Sequence, residues 1–191
     1  MDRILCASSA FHYHRIPPHI REALGPPPPL EGRAALRALS RWGSFMECIP
    51  LPLDLLSTDA SQRRHALAFR RHLISASGLE RGCEMVDASL AVASPEVTLL
   101  SLARSAPFHL LCMAAHEMCG TFSVFHPSAE LAAQLECFEL PSGWRGSGWR
   151  PFLREDGSIS GLWSRPALTC REDLRHLASQ MEGVSGRKKL L

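Results

Sequence analysis

Three groups of side chains in this sequence have the types and spacing to do chemistry. The first is Cys112, His116 and Cys119, at i, i+4 and i+7, so one helix face presents two thiols and an imidazole. Zinc accepts such ligands, but a structural site takes four, and no nearby spacing supplies the fourth. The expectation is reduced, packed thiols with no bound metal. The second group is His12, His14 and His19 beside Arg15. His12 and His14 are two residues apart and fall on different helix faces. No motif ties a nucleophile or a paired carboxylate to them, so no residue is assigned a catalytic role and no cofactor is expected. The third group is the pair Trp144-Arg145 and Trp149-Arg150. Rings beside guanidiniums suit single-stranded nucleic acid, whose bases stack on aromatics. The same pattern suits a loop whose tryptophans pack on the body while the arginines stay wet.

Charge distribution adds Arg187, Lys188 and Lys189 to the third group. Residues 141–191 carry nine Arg or Lys against five Asp or Glu, a net +4, which leaves −2 for residues 1–140 within the overall +2. The candidate nucleic-acid-binding set is therefore Trp144, Arg145, Trp149, Arg150, Arg187, Lys188 and Lys189. An overall +2 alone is too small to imply such a partner. Lys188 and Lys189 are the only lysines among 21 basic residues, so no Asp-x-Lys or Glu-x-Lys pair occurs. The acidic-x-lysine chemistry of many metal-dependent nucleases is absent from these residues. No phosphate-cradling glycine loop, zinc ribbon or dinucleotide fingerprint appears either.

The elements that must position these residues follow from composition and pattern. With 191 residues, 46% hydrophobic and 21% charged, the chain can bury a substantial core. No run approaches 18 apolar residues, so no membrane span is expected, and the N-terminal apolar stretch is too short for a signal peptide. Seven scattered cysteines, an odd count without a secretion signal, suit reduced thiols in a cytoplasmic protein.

Residues 3–7 predict a short buried strand, with Ser8 or Ser9 capping a helical turn over 10–15 that Pro17-Pro18 interrupts. Pro26 to Pro29 reads as a stiff spacer. Leu36, Leu39 and Trp42 predict a helix over 31–42, with Arg33, Arg37 and Arg41 on another face and Gly43 ending it. Residues 47–55 are β-like but carry Pro50 and Pro52, which suits an edge strand, and 61–65 are polar and loop-like. Short strands are expected at 68–74, 83–87 and 90–93. Ser94-Pro95-Glu96 is a strong helix opening: an N-cap, a first-turn proline and an acid at the positive dipole end. Residues 97–103 are apolar on nearly every side, so that helix should be buried. A second helix over 107–119, ended by Gly120, completes a helical hairpin packed on the strands.

Further on, 128–137 predicts a short helix and 140–153 a loop. Thr169-Cys-Arg-Glu172 has capping-box spacing. Leu174, Leu177, Ala178 and Met181 make one apolar helix face, closed by Gly183. A last helix after Ser185 is too short to stand alone, which leads to the expectation that the natural chain continues. The fold class expected is α/β (α+β), a short mixed sheet packed against a buried helical hairpin. Residues 1–164 form the module, and 165–191 the C-terminal helix and the start of a connecting helix.

Several segments in order resemble a family of bacterial endonuclease-domain proteins related to type IV abortive-infection antitoxins. They are Ile4-Leu-Cys-Ala-Ser-Ser-Ala-Phe, Val92-Ala-Ser-Pro-Glu-Val with Leu99 to Ala103, His116-Glu-Met-Cys-Gly-Thr-Phe, Arg165-Pro-Ala-Leu-Thr and Gly183-Val-Ser-Gly-Arg-Lys-Lys. Ser-Pro-Glu and Glu-x-Cys-Gly-Thr are the most specific elements, and the stretch 126–160 departs from the family pattern. The resemblance implies an N-terminal α/β module followed by a restriction-endonuclease-like domain that lies outside these residues. Three functions follow as expectations. The first is a non-catalytic accessory module of a nuclease-like or phage-defence protein, binding DNA or a partner protein. The second is a stand-alone antitoxin-type regulator that binds a toxin and its operator DNA. The third is a small enzyme built on the histidine-rich start.

Overall fold

Two short parallel strands organise the computed structural model, which describes residues 4–24, 48–57, 69–73, 82–86, 90–129, 131–132, 148–181 and 186–190. Strand β1 (Ile4–Leu5) lies beside β5 (Ala91–Ala93), with Leu5 opposite Val92. On the other flank β2 (Leu53–Ser57) pairs antiparallel with β1, and β3 (Phe69–Leu73) runs parallel to β2. Antiparallel β4 (Cys83–Met85) completes the order β3-β2-β1-β5-β4. Every residue of β1, β2 and β5 is buried, as strands covered on both faces must be. The edge position expected for the Pro50–Pro52 region is corrected here, because β2 is interior. Both prolines precede Leu53, so neither removes a donor from the ladder.

Each central strand leads into a helix, and the two helices pack together: α1 (Ala7–Arg15) after β1, and α3 (Pro95–Ser105) after β5. The α3 start follows its sequence signal. The Ser94 hydroxyl accepts the Val97 N–H, Pro95 sits in the first turn, and residues 97–103 are all buried. The α1 start does not. Helix begins at Ala7, with Cys6 at the N-cap and no side-chain cap bond, rather than after Ser8 or Ser9. Tertiary bonds outcompete the local cap. The Ser9 hydroxyl accepts the Asp54 N–H at 2.8 Å, and Ser101 accepts the Ala7 N–H at 2.9 Å. Ala7 thereby takes φ +44°, a left-handed conformation that costs a residue with a Cβ about 1 kcal/mol. Helix α2 (Pro18–Leu24) follows at once.

Helix α4 (Phe108–Cys119) packs against α3 and buries Leu111, Ala114, Glu117 and Met118. Its other side is open: Phe108, Leu110 and Met113 are exposed. Gly120 ends α4 without left-handed geometry. Its need for glycine is spatial, since a Cβ there would lie 2.6 Å from the His116 carbonyl oxygen and 2.9 Å from the Phe122 ring.

A second sheet follows: β6 (Phe122–Val124), β7 (Arg150–Leu153) and β8 (Ile159–Ser164), antiparallel in the order β6-β8-β7. The loop expected over 140–153 is corrected, because residues 150–153 form β7. The strands evade periodicity for identifiable reasons. Pro151 occupies an edge strand, where its missing N–H is tolerated. Gly161 interrupts β8 at φ +86°, and the His126 ring fills the space its Cβ would take, 1.9 Å from Nδ1. Ser123 and Trp163 face inward and are buried, and the indole N–H donates to the Phe125 carbonyl at 3.3 Å.

Helix α5 (Arg171–Gln180) packs on α3, burying Leu174 and Ala178, and α6 (Arg187–Leu190) packs on both. The expected Thr169 capping box is corrected: the N-cap is Cys170, without a side-chain cap bond. The N–H groups of Leu168 and Thr169 donate to the Met118 carbonyl, which draws Thr169 into the interior. Of the helix expected over 128–137, the described residues show its start: the Ser128 hydroxyl accepts the Leu131 N–H and the Ser128 carbonyl accepts the Ala132 N–H. The expected proline spacer, the 31–42 helix, the 61–65 loop and Gly183 lie outside the described residues. The architecture is α+β, and among the described residues no helix is long and apolar enough to cross a membrane.

Candidate functional site

Glu117 is the only charged residue of α4, and it is 3% exposed. Burying a carboxylate costs several kcal/mol unless it is paired and its lone pairs are met. Arg15, at the end of α1, forks onto it, Nε to Oε1 at 2.9 Å and Nη2 to Oε2 at 2.5 Å. The Val124 N–H donates to Oε1 at 3.0 Å, and the Ser123 hydroxyl lies 3.2 Å from both Oε1 and the Arg15 carbonyl. Oε1 thus accepts from Arg15 and Val124 with the Ser123 hydroxyl in reach, and Oε2 accepts from Arg15. Arg165, buried just beyond β8, donates through Nη2 to the Glu117 carbonyl at 2.6 Å and through Nη1 to the Pro166 carbonyl at 2.8 Å. Burial pushes its guanidinium down to about 10, still a cation at neutral pH. Helix α1 and strand β6 therefore meet α4 at the Glu117 carboxylate, and the segment after β8 meets it at the Glu117 main-chain carbonyl.

His12 and His14 on α1 and His19 on α2 do not converge. His14 is buried, and its Nε2 lies 2.8 Å from the Ala93 carbonyl. A carbonyl only accepts, so that nitrogen carries the proton. Burial lowers His14 to about 4, although the Ala93 bond works the other way. His12 falls to about 4 through burial and the neighbouring Arg15, opposed by Glu117. Burial also lowers His19, whose ring sits 5.7 Å from that of Trp163. All three imidazoles are held neutral.

A second buried acid is Asp54, 2% exposed, whose Oδ1 lies 2.7 Å from His72 Nε2 and 3.5 Å from Arg70 Nη1 on the neighbouring strand. The adjacent Cys6 thiol is raised well above its ordinary value, by burial first and Asp54 second. A thiol held protonated is a poor nucleophile.

The residues singled out from the sequence are placed as follows. Cys112 and Cys119 are free thiols and His116 is exposed. Among the described residues no three His, Cys, Asp or Glu side chains are grouped to hold a metal. Trp149 is 4% exposed, with the Arg165 guanidinium 5.6 Å from its ring centroid. Its ring packs on the body and is not offered to a base, while Arg150 next to it is exposed. Lys188 and Lys189 are exposed on α6, and Arg187 is half-buried. Trp144 and Arg145 lie outside the described residues.

Sequence reasoning assigned no role to Glu117, Asp54 or Arg165. The first two carried a signal: each is a single acid in an otherwise apolar element, a pattern that demands a buried partner. Nothing local marked Arg15 or Arg165 as those partners or clamps. Arg165 also donates its N–H to the Thr121 carbonyl at 3.0 Å. No family model, curated protein or solved structure matches the chain.

Proposed function

We propose that this chain is a non-catalytic accessory module of a nuclease-like or phage-defence protein that contacts nucleic acid through its phosphates. The observation that carries the non-catalytic half is the structural role of Glu117, buried and paired between elements. This buried acid is held by the Arg15 fork and the Val124 N–H, with the Ser123 hydroxyl 3.2 Å away. It holds elements together across the joint. Absence of any acidic-x-lysine pair in the sequence points the same way. The exposed cations Arg150, Lys188 and Lys189 supply the contacts. With Trp149 buried, they favour backbone charge over base stacking.

Two measurements test this. Purified protein with magnesium or manganese should leave single- and double-stranded DNA intact, and metal-dependent cutting by contaminant-free protein would overturn the non-catalytic half. A salt titration of fluorescent DNA should show binding that weakens steeply with salt, the slope falling by roughly one for each phosphate contact removed by Arg150→Ala or Lys188→Ala. No binding at about 50 mM salt sinks the nucleic-acid half.

A further inference from the structure

Charge in this molecule is sorted along helix α3. Glu96 stands in its first turn, and the first turn of α5 adds Glu172 and Asp173. The Cys119 thiol at the end of α4 is raised by burial first, then by Glu96, and further by Asp173 and Glu172, against Arg165. These three acids therefore share one end of α3. The helix has 11 residues and rises roughly 16 Å, and at its far end the charge has changed sign. Exposed Arg104, in the last turn, donates through Nη1 to the Leu73 carbonyl at the end of β3. Gly186 lies against the same side chain, since a Cβ there would meet Arg104 Cγ at 2.9 Å. Arg187, Lys188 and Lys189 of α6 follow Gly186 at once. Arg104 thus joins a strand that carries Arg70 and Arg71 to a helix that carries three further cations. Neither β3 nor α6 contains an acid, and α3 has only Glu96. Asp54, which pairs Arg70 at 3.5 Å, is itself buried.

We propose that Arg70, Arg104, Lys188 and Lys189 form one phosphate-binding track at this end of α3, along which the backbone of a DNA duplex lies. The track rests on the phosphate-contacting reading above, and it moves the centre of contact from the second sheet to the meeting of β3, α3 and α6. Surface charges are ordinarily interspersed by sign. Cations of one sign, gathered from three elements far apart in sequence, are the electrostatic mark of a polyanion site. Simpler accounts cover single members only. A cation in the last turn of α3 answers the helix dipole, and charged side chains guard an outer strand such as β3. Neither explains two exposed lysines on a four-residue helix seated against Arg104. Donor chemistry fits as well. A guanidinium has five N–H donors, so one bond to Leu73 fixes Arg104 in place and leaves others for a phosphate oxygen. Arg70, the exposed arginine of β3, stands about 10 Å from Leu73 along the strand.

A salt titration of fluorescent double-stranded DNA on the full chain tests the track. Arg104→Gln keeps a donor for the Leu73 carbonyl and removes the charge. It should lower the slope of log K against log salt by about one, as Lys188→Ala does, and the two together by about two. Arg104→Lys, which keeps the charge, should hold the slope near that of the unaltered chain. Arg154→Ala is the control, since Arg154 is exposed at the turn between β7 and β8, and it should change nothing. If Arg150→Ala lowers the slope while Arg104→Gln does not, the track is overturned and the phosphate reading stands, centred on the second sheet. If Arg154→Ala lowers it as much as Arg104→Gln, the contact is diffuse surface charge and the track is again overturned. No binding by the unaltered chain at about 50 mM salt overturns both, and leaves these cations to an acidic protein segment. Circular dichroism checks that Arg104→Gln keeps its helices, and Arg70→Gln carries the same test if it does not.

Discussion

The five-stranded sheet and the three-stranded sheet solve the same problem in opposite ways. Around the first, α1 and α3 pack down so that Leu5, Leu53, Val92 and Leu99 are sealed at 1% exposure or less. Its polar interior is local: the Ala93 carbonyl gathers His14 and Thr98, and Asp54 takes His72 from the next strand. The second sheet has only one covered face. Trp163 and Ser123 point inward, while Phe122, Phe152 and Leu162 point out. It is fixed to the body by the Arg15–Glu117 fork and by Arg165 rather than by a greasy seam alone. One region is closed on itself, and the other is half a layer held by charge. Strong directional bonds can anchor an element whose apolar area is not yet covered.

The sharpest way to break this comparison is to cut the fork. Glu117→Ala leaves Arg15 without its partner, with 23% of its side chain exposed, and leaves the Val124 N–H unpaired. Removing one member of a buried pair costs about 3–5 kcal/mol, and partial exposure of Arg15 places this one near about 3 kcal/mol. Urea denaturation measures it, and a loss under 1 kcal/mol would mean that packing, not charge, holds the second sheet.

The next effect belongs to the first region and appears with acid. His14 titrates near 6.5 when free and near 4 when folded. Folding favours the neutral ring, so its contribution is complete above about pH 6.5 and is lost as pH falls toward 4. By pH 5 the loss is about 2 kcal/mol. The variant His14→Gln, which keeps a donor for the Ala93 carbonyl, should make stability less steep between pH 6.5 and 4, with the remaining dependence left to His12. An unchanged pH profile would show that His14 is not the group that titrates.

The smallest effect is at Ser94. Its hydroxyl accepts the Val97 N–H at 3.4 Å, a long bond, so Ser94→Ala should cost about 0.5–1 kcal/mol, the low end for a cap. A loss above 2 kcal/mol would mean the cap also sets how α3 seats on the sheet.

The two regions also differed in how much of them could be read in advance. Residues 90–105 were transparent because cap, proline, acid and apolar run all point to one answer. Strands form at 69–73, 83–85 and 91–93 within the stretches expected, although only Ala91–Ala93 is an apolar run and Phe69–Leu73 carries Arg70, Arg71 and His72. The second sheet was opaque because Pro151 and Gly161 are breakers by type, and only tertiary placement makes them strand residues. The joint was opaque for another reason. Arg15 and Glu117 are 102 residues apart, and no local pattern links a cation on one helix to an acid on another. Trp149 was legible only as a pair of alternatives, and burial selects packing.

The bond from the Val124 N–H to Glu117 reaches beyond the joint itself. Strand β6 is an outer strand of its sheet, and an outer strand with free N–H and carbonyl groups templates the addition of another chain. Here the Val124 donor is already occupied, and on the opposite outer strand Pro151 has no donor to give. The sheet can leave greasy side chains bare without leaving a matching row of backbone donors beside them. That separation lets the surface be sticky face-on yet resist growth edge-on, which is the difference between a finite complex and a fibre.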